Sequence, residues 1–149
     1  GVFVDEELET VAALLSAGVI DLVQLHGKED EAYISRLREL TEKPVIKAFS
    51  VRDEKDIEKA CESSADFVLL DAGDGGTGTA FDRKFLAGMS RPYFLAGGLD
   101  ASNVGEAVKR WQPYAVDVSS GIETDGLKDA EKMQAFVESV RRTKDYDES

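Results

Sequence analysis

One histidine, one cysteine and one tryptophan are spread over 149 residues. A lone cysteine excludes an internal disulfide, and a lone histidine excludes any centre that needs two imidazoles. Cations are also scarce: 18 Lys and Arg stand against 30 Asp and Glu, a formal charge of −12. A chain of that sign lacks the clustered cations that displace counterions from nucleic-acid phosphates or hold a protein on anionic lipid. Neither nucleic acid nor membrane is expected as a partner. No run approaches the roughly 18 apolar residues of a membrane span, and no signal peptide precedes the first strand-like segment. There are three prolines, no low-complexity stretch and no linker that would divide the chain. With 42% hydrophobic residues, the expectation is one folded domain in a reducing, cytoplasmic setting.

What is present is an alternation. Short apolar runs at Gly1–Val4, Asp21–His26, Pro44–Ser50, Phe67–Asp71, Tyr93–Ala96 and Ala115–Ser119 are strand candidates. Most are continuous rather than strictly alternating, as strands covered on both faces are. Between them lie helical patterns. Leu8, Val11, Ala12 and Leu15 fall at i, i+3, i+4 and i+7, as do Val104, Ala107, Val108 and Trp111, and Met133, Phe136, Val137 and Val140. Tyr33, Leu37 and Leu40 suggest a further stripe, and Asp53–Ser63 and Asp82–Met89 open on an N-capping Asp. Six βα units imply a parallel sheet, as a doubly wound sheet or as part of a (β/α)8 barrel. No G-x-G-x-x-G follows the first strand, so a dinucleotide fold has no positive support.

Ligands of parallel α/β folds bind at the carboxyl ends of the strands. Those ends read Gln24-Leu25-His26-Gly27, Asp71 followed by Gly73-Asp74-Gly75-Gly76-Thr77-Gly78, Ala96-Gly97-Gly98-Leu99, and Asp117-Val118-Ser119-Ser120-Gly121, with Lys47 on the third strand. Gly97, Gly98, Ser119, Ser120 and Gly121 suit a phosphate cradle, though glycines also simply turn a chain. Asp71 ends an apolar strand, where desolvation would favour a general acid; a helix cap is the plainer alternative. Asp117 sits inside a strand run and needs a partner, a ligand hydroxyl or a neighbouring N–H. His26 reads equally as a ligand contact or a hydrogen-bonded strand-end residue, and Cys61 as a buried thiol beside Ile57 and Ala60.

The stretches GVFVDE, DLVQLHG, VIKAFSV, FVLLDAGDGGTGTAFD, FLAGGLDASNV and PYAVDVSSGIETDGLKD, in this order, closely resemble the phosphoribosylanthranilate isomerase family of tryptophan biosynthesis. Two departures are minor: Arg83 stands where the family usually has Trp, and Ser102 where it usually has Glu. The resemblance implies a (β/α)8 TIM barrel of which this chain holds units three to eight, with residues 1–143 forming the partial domain and 144–149 a polar tail. It further implies an Amadori rearrangement, with Asp71 as general acid and with Gln24, His26 and Asp117 facing the substrate. Phosphate would lie on Gly97, Gly98, Ser119, Ser120 and Gly121. No metal or organic cofactor is expected, because the substrate's own iminium serves as electron sink. The family's base, a Cys in a KICG-type first strand, has no counterpart here, and the chain opens on GVFVDEE without Met. The expectation is an N-terminally truncated isomerase, inactive alone, whose intact form is an intramolecular oxidoreductase of the aldose–ketose type. A fused or neighbouring enzyme of the tryptophan pathway is left open as a partner. The alternatives are a non-catalytic phosphate-ligand binding module or another phosphosugar isomerase or epimerase of the barrel class.

Overall fold

A computed structural model of the chain describes residues 1–72 and 83–144. The GDGGTGTAFD segment and the tail after Lys144 lie outside the described residues. Six parallel strands form one sheet in sequence order: β1 (Val2–Phe3), β2 (Val23–Leu25), β3 (Val45–Ser50), β4 (Phe67–Asp71), β5 (Tyr93–Ala96) and β6 (Ala115–Val116). Helices α1 (Leu8–Ser16), α2 (Glu31–Leu40), α3 (Glu54–Glu62), α4 (Val104–Trp111) and α5 (Ala130–Lys144) follow the strands, with a 3₁₀ turn, Arg83–Gly88, in place of a helix after β4. This is an α/β fold with a parallel sheet, and β1 and β6 are its edges. All six predicted strands form. The outer ones are shorter than expected, because an edge strand has a neighbour on one side only.

Register fixes two faces, since directly paired residues of a parallel sheet point the same way and successive residues alternate. Gln24, Ile46 and Phe67 are in register, as are Ala48, Leu69 and Phe94, and Ser50, Asp71 and Ala96. On this inner face Ile46, Ala48, Leu69 and Ala96 form a small core with Phe67 and Phe94. Tyr114 closes its amino-terminal end, stacked 5.8 Å from Phe94 and 6.2 Å from Phe67.

The outer face carries two larger cores. Val23, Leu25 and Val45 pack with Val11, Leu15, Ile34 and Leu37 of α1 and α2, and Val68, Leu70, Tyr93 and Leu95 pack with Ile57, Ala60, Val104, Ala107 and Phe136. Burying each Leu or Val contributes on the order of 1.5–3 kcal/mol before entropy is charged against it. Strands covered on both faces explain the continuous apolar runs.

Helix signals hold in part. Asp53 caps α3 by accepting from the amides of Lys55 and Asp56, and Asp30 caps α2 by accepting from Tyr33. The α2 stripe is Ile34 and Leu37 rather than one ending at Leu40, which is exposed. Of the predicted α5 stripe Met133, Phe136, Val137 and Val140, only Phe136 is buried. Met133 and Val137 remain exposed because no element packs over that flank among the described residues. Arg91 ties the amino-terminal end together, donating to the carbonyls of Ser63, Ala65 and Asp66. No helix among the described residues is long and apolar enough to cross a membrane.

Candidate active site

Alternation carries three side chains of the predicted site, with Ser50 beside them, to one face. Gln24 and His26 occupy the inner side at the end of β2, Ser50 that of β3 and Asp71 that of β4. Asp117 follows β6 by one residue, two positions beyond inward Ala115. His26 Nε2 lies 3.6 Å from Asp71 Oδ2. That is longer than a hydrogen bond, and it is an ion pair whenever the imidazole is protonated. Gln24 Nε2 approaches His26 Nδ1 at 3.1 Å. An amide nitrogen can only donate, so Nδ1 accepts and Nε2 keeps the proton facing Asp71. The Asp71 side chain is 29% exposed. The desolvated carboxyl expected from the apolar run is therefore replaced by a partly hydrated one beside an imidazole.

Asp117 departs from its expected environment. It lies just beyond β6 rather than within the strand, and its side chain is exposed; its amide donates to Leu95 O at 2.8 Å. Edge position accounts for this, since among the described residues no further strand covers the far side of β6.

The two glycine-and-serine loops meet. Gly97 and Gly98 both have positive φ (90° and 61°), which re-aims the backbone after β5. Asn103 Nδ2 then donates to Gly98 O at 2.8 Å, and Asp100 and Asn103 cap each other reciprocally: Asp100 N–H to Asn103 Oδ1, and Asn103 N–H to Asp100 Oδ1. Ser102 also donates to Asp100 through its amide and its hydroxyl. The Ser102 hydroxyl is the main cause holding the Asp100 carboxyl below its ordinary range; partial burial opposes it, and the two amides assist. From β6, the turn Ser120–Ile122 brings Gly121 onto this loop. A Cβ at Gly121 would overlap the Leu99 carbonyl. Gly121 therefore seats one loop on the other, and the exposed Ser119 and Ser120 stand beside it.

Lys128 escaped the sequence reading. A hairpin of β7 (Glu123–Thr124) and β8 (Leu127–Lys128), turned by Asp125 and Gly126 at φ 51° and 77°, returns it to the Ser119 loop. Its ammonium donates to Ser119 O at 2.9 Å and pairs with Glu123 at 2.6 Å. The Asp-Gly pair between short strands was the available signal, because both central residues of such a turn need positive φ.

Glu29 and Lys47 were also not assigned. Both are buried beneath the end of β2, paired at 3.3 Å. Among the described residues no group of three or more His, Cys, Asp or Glu is arranged to hold a metal ion. A depression of about 680 Å³ lined by Arg91, Tyr93, Arg110 and Trp111 lies at the opposite, amino-terminal end of the sheet, away from this constellation.

The N-(5'-phosphoribosyl)anthranilate (PRA) isomerase family profile matches residues 1–139. An N-(5'-phosphoribosyl)anthranilate isomerase of Endomicrobium trichonymphae is 47% identical over 145 residues, covering 95% of this chain and 71% of the relative. Among solved structures, the phosphoribosyl anthranilate isomerase of Thermus thermophilus superposes with a TM-score of 0.80 at 34% identity, over 95% of this chain and 71% of that one. A phosphoribosyl anthranilate isomerase in complex with reduced 1-(o-carboxyphenylamino)-1-deoxyribulose 5-phosphate superposes at 0.76 and 34% identity, over 95% and 70%.

Proposed function

The chain belongs to the N-(5'-phosphoribosyl)anthranilate isomerase family, and from that premise we propose that its strand ends serve the Amadori rearrangement of N-(5'-phosphoribosyl)anthranilate in tryptophan biosynthesis. In this reading Asp71 is the general acid. It protonates the ribose ring oxygen, the sugar opens to a protonated Schiff base, and loss of the C2 proton gives an enolamine that tautomerises to the ketone. The single observation that carries the assignment is the His26–Asp71 approach of 3.6 Å on the inner face of a parallel sheet, at its carboxyl end.

His26 supports the acid by keeping an N–H edge toward it, and Gln24 sets which ring nitrogen does so. Asp117 faces the same space and is assigned a ribose hydroxyl. Gly97, Gly98, Ser119, Ser120 and Gly121 are assigned the phosphate, a reading supported by the contact between the two loops and by the phosphate-bearing compound held in a related structure. The substrate is thus a small phosphosugar. A reducing cytoplasm suits the free thiol of Cys61, which contacts Met89 and the Gly88 carbonyl.

The chain further corresponds, on this proposal, to six of the family's eight βα units. The coverage of 71% of the relative and the position of β1 and β6 as sheet edges among the described residues support it. The family's basic cysteine then belongs to the units outside this sequence, and residues 1–149 alone are inactive. The test is an isomerase assay of the purified chain beside the chain joined to the first two units of a relative. Turnover by the joined protein alone, lost again in Asp71→Asn, is the expected pattern. Full turnover by the 149-residue chain, or by the joined Asp71→Asn protein, would sink the corresponding part.

A further inference from the structure

Lys47 and Glu29 sit where charges are rare: their side chains are 8% and 2% exposed. A buried ion pair contributes little net stability compared with apolar residues of the same volume. Its retention at a strand end therefore calls attention to what the two groups hold. Lys47 Nζ donates to Gly27 O at 2.7 Å and Leu25 O at 3.5 Å, and pairs with Glu29 Oε2 at 3.3 Å. Glu29 in turn accepts from the Gly27 amide at 2.8 Å through Oε2 and from the Asp5 amide at 2.8 Å through Oε1. The carbonyl before His26, and the amide and carbonyl of the residue after it, are thus all bound by one buried pair.

The fourth tie comes from the neighbouring strand. His26 N–H donates to Phe3 O at 2.8 Å, and Glu29's second oxygen fixes Asp5 two residues further on. Gly27 completes the clasp, because a Cβ there would collide with the Asp5 amide and carboxylate. Lys47 belongs to the outer face with Leu25, while His26 belongs to the inner face. The pair therefore never meets the imidazole side chain. It acts from behind the sheet on the backbone that aims it.

We propose that Lys47 and Glu29 are positioning residues for His26: they clamp the peptide groups on both sides of it and so set the imidazole against Asp71. The catalytic meaning of this clamp rests on the proposed function, but its geometry is testable without turnover. His26 is the only histidine, so its ring resonances are unambiguous in NMR.

In the 149-residue chain, Asp71→Asn displaces those resonances. In a Lys47→Met/Glu29→Gln background the same change displaces them at least threefold less, because the ring is no longer held to that carboxylate. In that background amide exchange accelerates at Gly27 and Asp5 while Val68 and Leu69 keep their protection. Removing both charges together avoids leaving one buried alone. If circular dichroism shows that double variant unfolded, Glu29→Asp carries the same test, since it keeps the charge and withdraws the carboxylate by one methylene.

An undiminished displacement overturns the proposal, as does uniform acceleration of all amides, which marks a merely stabilising pair. An Asp71→Asn change that leaves the ring resonances unmoved in the parent chain overturns it as well. Intact coupling without turnover in the joined protein counts against the proposed reaction alone.

Discussion

His26 and Asp71 come within 3.6 Å of each other although their strands are not neighbours. The strand β3 lies between them and presents Ala48 and Ser50 on the same face, Ser50 in register with Asp71. A small side chain there leaves the space over the strand end open. The first prediction follows from the pair. In the family-length enzyme, Asp71→Asn keeps the shape of the site and removes the transferable proton, so kcat falls by about 100- to 10,000-fold while KM changes little. Steady-state consumption of N-(5'-phosphoribosyl)anthranilate measures both.

Two glycines in the proposed phosphate cradle have different reasons for being glycine, and alanine separates them. At Gly98 a Cβ meets nothing within 4 Å, so only its φ of 61° is strained. Gly98→Ala should cost roughly 1–2 kcal/mol. At Gly121 the Cβ meets the Leu99 carbonyl, which is backbone and cannot swing aside. Gly121→Ala should cost about 1–3 kcal/mol and move the Ser119–Ser120 loop as well. Urea unfolding gives the energies. The amide spectrum shows local change in the first variant and change across both loops in the second.

Lys128 holds the Ser119 carbonyl and hydroxyl from an otherwise exposed hairpin. Lys128→Met should loosen that loop with little loss of stability. Inorganic phosphate, titrated while the Gly98 and Ser120 amides are monitored, should bind roughly fivefold more weakly, about 1 kcal/mol. Equal affinity in the two proteins would remove Lys128 from the cradle.

Asp100 gives a pH dependence of known sign. Its folded-state carboxyl lies below the ordinary value, chiefly through the Ser102 hydroxyl. A depressed acid stabilises the folded state above its unfolded pKa of about 3.9, and that contribution is lost as pH falls through the lower folded value. Asp100→Asn should therefore be less stable than the parent at pH 6, and the difference should shrink as pH falls through the lowered folded-state value. Urea midpoints taken across that range test it, and a parallel offset at every pH would contradict it.

Much of this was legible in the sequence, for a local reason. Strand positions and the α1, α3 and α4 stripes are set by periodicities that short segments carry themselves; Asp71 and His26 stood out by their place at strand ends, and Gln24 through the family resemblance. What stayed hidden depends on remote partners. Glu29 lies in Gly27-Lys28-Glu29-Asp30, which reads as a solvated loop; its burial exists only because Lys47, eighteen residues on, reaches it. Asp117 and the Met133–Val137 flank were expected to be covered, and they are open because nothing packs beside β6 and α5 among the described residues. Leu40 was misjudged because three apolar residues at helical spacing do not say which of them the neighbouring strand will meet.

The outer sides of β1 and β6 also bear on how copies of this chain treat one another. Each is paired on one side only among the described residues, and Val2 and Val4, both 65% exposed, make the first of them adhesive. The surplus of twelve negative charges works in the opposite sense, by making every copy repel the next. Solubility is then a contest between sticky borders and long-range repulsion. Because salt shortens the reach of repulsion and leaves strand pairing intact, the chain is best kept in dilute buffer well above its isoelectric point of about 4.5.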